Sequence, residues 1–226
     1  MKRNLKINEL IKNSKKEYRL HNSIPFFIKD PLPENIDLQS VISILENRIP
    51  EYLFHYVDII YVGHFDDFDE NNTNAKYQDG AIYLTNLQDD VRDMIDDIVH
   101  ELAHAISENN TTEIFSDYQV ENEFVLKRKQ LERILRYKGH SVYGLRFANP
   151  DYSLKFDEFL YKEVGYSALR TLSSNIFTSP YAITSIQEYF ASGFEEFYIG
   201  DRRRLYKISP KLYNKINELN NLGENI

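Results

Sequence analysis

The stretch His100-Glu101-Leu102-Ala103-His104 constrains this chain most, because its residue types cooperate only if the segment is helical. Residues four apart on an α-helix share a face, so imidazoles at 100 and 104 can converge on one cation. Glu101 sits about 100° further round the helix, where its carboxylate can reach water at the metal without becoming a ligand. A helix is also what the surrounding pattern predicts. Val91, Met94, Ile95, Ile98, Val99, Leu102 and Ile106 form an i, i+3, i+4 apolar stripe. Thr85 and Gln88 make a capping box ahead of it, with Asp89 and Asp90 in the first turn, so the helix is expected from about Leu87 to Ser107.

A catalytic zinc ion takes three protein ligands and keeps one open position. The chain contains no cysteine, which leaves His, Asp or Glu for the third. No further histidine follows His104 at the short spacing of the extended H-E-x-x-H motifs, and His140 lies in a Lys138-Gly139-His140-Ser141 turn with no supporting pattern. Glu188 is the better candidate. It lies in the first turn of a second amphipathic segment, where Ile186, Tyr189, Phe190, Phe194 and Phe197 share one face. Taken alone, that position serves equally well as a helix cap with Ser185.

Three blocks together resemble the anthrax lethal factor-type metallopeptidase domain and the related Pro-Pro endopeptidases. They are His100-Glu101-Leu102-Ala103-His104, Glu188-Tyr189-Phe190-Ala191 with Phe194, and Tyr181 seven residues before Glu188. Arg204 to Asn217 is similar to the closing helix of that family. The resemblance implies a zincin-like fold of the gluzincin type and one Zn²⁺ per chain, held by His100, His104 and Glu188. It further implies Glu101 as general base and Tyr181 as hydroxyl donor to the oxyanion. Ser192 departs from the pattern, since the family often has an acid there, and the supporting carboxylate is then expected from Glu195 or Asp97. The segment between His104 and Glu188 is long and reads as an inserted helical stretch.

The rest of the chain reads as α+β: a small mixed β-sheet with an edge strand packed on the H-E-x-x-H helix, then a mainly helical C-terminal part. Hydrophobic content of 42% and aromatic content of 14% exclude a disordered chain. Residues 1–35 are expected to form a basic helix and a Pro-containing extension, and 36–226 the metallopeptidase domain. Within that domain the sheet and metal helix run to about 110, a helical insertion spans about 111–175, and 176–226 carries Tyr181 and Glu188. Asp37 is expected to cap a helix, and 56–62 and 80–84 read as strands. The strand before the metal helix is placed like a zincin edge strand. Ala81, Ile82 and Tyr83 are therefore expected to bind an extended peptide by strand addition. The acidic loop around Asp67, Asp69 and Asn71 lacks the Gly and Glu that a calcium loop needs at Asn72 and Gln78, and is expected to be solvated.

A formal net charge of −8 excludes nucleic acid as the main partner. The Lys2–Arg19 and Arg202–Lys211 clusters are interleaved with apolar residues and read as solvated amphipathic faces. With no signal-peptide core and no long apolar run, the expectation is a cytoplasmic or virus-associated protein that does not act on membranes. The expected activity is zinc-dependent hydrolysis of peptide bonds in a protein or peptide substrate. The alternatives are a catalytically silent structural or assembly protein of the same fold, a toxin or effector protease delivered elsewhere, and a helical domain that binds no metal. Sequence gives no oligomeric state.

Overall fold

Alternation along two short apolar segments builds the centre of the molecule. In the computed structural model, which describes residues 18–66, 68 and 73–221, β3 (Ile59–Gly63) and β5 (Ala81–Thr85) pair in parallel. Ile60, Val62, Ile82 and Leu84 are buried on one face. Tyr61 and Tyr83, opposite one another in the ladder, stack on the other face with centroids 5.1 Å apart. Burying one side of a pleated ladder in this way fixes its register, because a one-residue slip would turn the apolar set outward.

The sheet is five-stranded and mixed, in the order β1-β2-β3-β5-β4. β1 (Tyr18–Leu20) and β2 (Ile24–Ile28) form an antiparallel hairpin, and β2 runs parallel to β3. This corrects the expected boundary at residue 35. Residues 1–17 of the expected basic helix lie outside the described residues, but Tyr18–Ile28 belong to the same sheet as the rest. Pro25 is tolerated in β2 because the pairing with β3 begins one residue later, at Phe26. α1 (Leu38–Arg48) follows, capped by the Asp37 side chain on the Gln39 N–H as expected, and buries Leu38, Val41, Ile42 and Leu45. The calcium-like positions Asp67, Asp69 and Asn71 lie outside the described residues.

β4 (Ala75–Gln78) and β5 form a tight hairpin through Asp79 and Gly80, both at positive φ (49° and 82°). Positive φ at both central residues marks the turn that two-residue hairpins prefer, and glycine enters it without strain. The hairpin overturns the expected peptide-binding strand. Ala81, Ile82 and Tyr83 are paired with β3 on one side and β4 on the other, so β5 has no open edge. β4 is the sheet's outer strand and lies next to the helix that carries His100 and His104.

That helix, α2, spans Val91–Asn109. It starts later than expected because Asp90, not Thr85, caps it: the Asp90 carboxylate accepts from the Arg92 and Asp93 N–H groups. Thr85 instead accepts from the Leu87 N–H. Short α3 (Thr111–Phe115) leads into α4 (Gln119–Tyr137), and α5 (Leu154–Glu158) runs into one π-helical turn before Gly165 (φ 83°). α6 (Tyr166–Ser173) completes the expected helical insertion. Then come α7 (Ile186–Tyr198), α8 (Arg202–Ile208) and α9 (Pro210–Asn221), packed through Tyr189, Phe190, Phe194, Phe197, Leu212 and Ile216. No helix among the described residues is long and apolar enough to cross a membrane.

Gly193 sets how closely α7 and α9 approach. A Cβ there would lie 2.3 Å from Leu212 Cδ2, and Leu212 is fully buried and cannot retreat. Gly193→Ala is therefore expected to lower the unfolding free energy by about 1–3 kcal/mol. An unchanged urea midpoint would show that α9 is free to shift.

Candidate metal centre

α2 and α7 pack directly on each other, and their facing sides bring His100, His104 and Glu188 together. Each residue is where helical geometry puts it. His100 and His104 are one turn apart on α2. Glu188 is in the first turn of α7, where the Ser185 hydroxyl accepts from its N–H. A cap and a candidate ligand therefore fall on the same residue without competing. Its backbone is taken by Ser185, and its carboxylate is left to face the histidines.

The distances discriminate between a chance cluster and a ligand set. His100 Nε2 lies 3.1 Å from His104 Nε2 and 3.1 Å from Glu188 Oε2, and His104 Nε2 lies 3.4 Å from Glu188 Oε1. Tetrahedral coordination with zinc bonds near 2.0–2.1 Å requires ligand atoms about 3.3 Å apart. Protonation sharpens the fit. His100 Nδ1 is hydrogen-bonded to Glu195 Oε1. A neutral imidazole that donates Nδ1–H there presents a bare lone pair at Nε2. Glu188 Oε2 is buried, faces that nitrogen at 3.1 Å and has no donor other than the His100 ring. Acceptors at van der Waals distance repel unless a cation or a proton lies between them. Without a metal the proton supplies this. Burial pulls the His100 pKa down, but the Glu188 and Glu195 hydrogen bonds overrule it and hold the ring well above its usual value. Burial likewise works to raise Glu188, and the two imidazoles hold it down at about 2. A metal ion would take the proton's place, which is how such sites couple metal affinity to pH.

Of the two carboxylates expected to support the site, Glu195 is the one that contacts His100. It stands seven residues after Glu188, two turns along the same helix face, so both carboxylates look toward α2. Asp97 instead receives the Gln88 amide at 3.1 Å, and Ser192 hydrogen-bonds Ser179. Burial, with help from the Asp93 and Glu101 charges, raises Asp97 to about 6 although Gln88 opposes it. A carboxyl raised in the fold binds its proton more tightly folded than unfolded. Its stabilising contribution is therefore full at low pH and lost as pH rises from 3.8 to about 6. Denaturation of the metal-free chain across that window is expected to show Asp97→Asn with a flatter profile, and an unaltered slope would remove Asp97 from the pH dependence.

Glu101 is buried (7% exposed) one position round from His100. Burial raises its pKa, against the pull of His104, of His100 and of a hydrogen bond from the Tyr77 backbone N–H. That last contact ties the carboxylate to the edge strand β4. A backbone donor leaves no mark in a residue pattern, although the Asp79-Gly80 hairpin signal could have located the strand that bears it. Tyr181 begins a 3₁₀ turn (Tyr181–Ile183), half exposed, with its ring centroid 6.2 Å from that of His100. Loss of hydration and the Glu188 charge raise its pKa, so the phenol stays protonated and able to donate. His140 sits in the turn after α4 and joins no ligand cluster among the described residues.

Five groups from three segments thus share one site: two imidazoles, the Glu188 carboxylate facing them, the buried Glu101 carboxylate beside them and a phenol across from His100. Comparison with protein-family models, with curated proteins and with solved structures finds no match to this chain.

Proposed function

We propose that this chain is a zinc-dependent metallopeptidase with a zincin-like fold. The observation that carries this reading is the convergence of His100, His104 and Glu188 at tetrahedral spacing, with Glu101 and Tyr181 around it. A site built only to hold a metal structurally closes its fourth position with another ligand, and no fourth ligand is grouped here among the described residues.

His100, His104 and Glu188 would hold the ion, with Glu195 fixing the ring orientation of His100. Bound zinc would supply Lewis acidity toward a scissile carbonyl and make nearby water more acidic. Glu101 Oε takes a proton from the attacking water; burial has raised its basicity, and the Tyr77 N–H keeps it in place. The same carboxyl then delivers that proton to the leaving amine. The Tyr181 hydroxyl donates to the carbonyl oxygen as negative charge builds there. Removing such a donor costs roughly 10²–10³ in turnover, so Tyr181→Phe is expected to lose activity by that factor and to retain zinc. A variant that loses zinc instead would make Tyr181 structural. β4 is the strand on which an extended peptide would align, because β5 is paired on both sides.

A proteome-derived peptide library incubated with the zinc-loaded chain tests the reading. Cleavage that a chelator stops and added zinc restores is the expected result. An intact library with the metal in place would leave a silent zincin-like protein as the better reading.

A further inference from the structure

Arg128, on α4, is the largest fully buried side chain among the described residues, with 1% of its surface exposed. Its guanidinium lies 3.9 Å from the centroid of the Phe156 ring and 5.3 Å from that of Phe124. One nitrogen, Nη1, donates to the Asn149 carbonyl. Nε is buried with no acceptor, and no ion pair to Arg128 is found among the described residues. Burial lowers its pKa to about 10 with no neighbouring charge opposing the fall. Taking an unpaired cation out of water is costly, and ring contacts offset only part of that. The planar fork of a guanidinium matches the geometry of a carboxylate or phosphate, so an oxyanion is the ligand that would compensate this charge.

The surroundings suit that ligand. Arg128 lines a recess of about 340 Å³ together with Arg146 and Lys155, against the single carboxylate of Asp151. The recess is also tied to the candidate metal centre. The Pro150 carbonyl accepts at 2.8 Å from the N–H of Ile186, which opens the helix carrying Glu188. Tyr152, another wall residue, donates to Asp157, and both lie within electrostatic range of the Tyr181 hydroxyl. None of the recess's own lining residues takes part in the chemistry above.

We propose that this recess is a specificity subsite that takes an acidic side chain of the peptide substrate, its carboxylate meeting the part of the Arg128 guanidinium that lines the recess, beside Arg146 and Lys155. The substrate assignment rests on the peptidase reading; the anion site does not.

Two readouts on the full chain test it. Calorimetric titration with glutarate, a stand-in for a glutamate side chain, is expected to show saturable binding. Arg128→Lys keeps the charge but loses the fork, and should weaken binding by roughly tenfold or more. Lys155→Gln, at an exposed position that cannot unfold the chain, should weaken it less. Among cleaved library peptides, an acidic residue should be enriched at one fixed distance from the cut, and both variants should lose that enrichment. Cleavage without acidic preference, or inorganic phosphate bound far more tightly than glutarate, overturns the substrate assignment in favour of a free anion. Failure of the folded wild type to bind either anion overturns the site itself. Anion binding by a chain that cleaves no peptide overturns the substrate assignment through the peptidase reading, and the intact binding tells the two failures apart.

Discussion

Glu101→Gln is expected to lower peptide hydrolysis by at least about 10²–10⁴, the usual contribution of a positioned general base, while zinc content stays at the wild-type level. The substitution isolates one property. Glutamine keeps the length and the acceptor oxygen that receives the Tyr77 N–H, and it removes the basic carboxylate. Because Glu101 lies on α2 between the two histidines but outside their cluster, its loss should not disturb the ligand geometry. Turnover on the peptides that the wild type cleaves, measured beside metal content, gives both quantities. Unchanged turnover would remove Glu101 from the chemistry. Lost zinc would make it part of the metal site.

Glu188→Ala should act on the other quantity. Loss of a hydrogen-bond partner one step removed from a metal costs roughly 10–100-fold in affinity, which is the expected effect of Glu195→Gln. Loss of the ligand carboxylate itself should exceed that range, and competition against a chromophoric chelator would rank the three proteins. The order wild type, Glu195→Gln, Glu188→Ala is the expected result. The fold should survive, because the part Glu188 plays in starting α7 belongs to its backbone N–H and the Ser185 hydroxyl. Equal affinity for all three would show that the carboxylates near His100 do not hold the metal.

What could be read from sequence divides along a physical line. Local devices were legible: the Asp37 cap, the apolar stripe of α2, the four-residue spacing of the histidines and the buried aromatic face of α7 all depend on residues within a turn or two of each other. Pairing between strands was not, because register is decided by partners far along the chain. β5 was legible as a strand, but its neighbours were not, and the polar Ala75–Gln78 segment that flanks it carries no strong strand signal of its own. The same holds for Tyr18–Ile28, expected within a basic helix and the Pro-containing stretch that breaks it, where a hairpin formed instead. At the site, Glu188 was ambiguous for a good reason: its first-turn position does serve a cap, and only the packing of α2 against α7 decides where the carboxylate points. Arg128 gave no signal at all, because a charged residue in an amphipathic helix reads as solvated until Phe124 and Phe156 are seen to enclose it.

The central claim is that His100, His104 and Glu188 form a metal centre, and metal content tests it most directly. Wild type and His104→Ala, purified identically and dialysed against trace zinc, would be analysed by mass spectrometry of the elements. About one zinc per chain in the wild type and almost none in His104→Ala is the expected result. The same zinc content in both proteins, or none in either when both are folded, would contradict it.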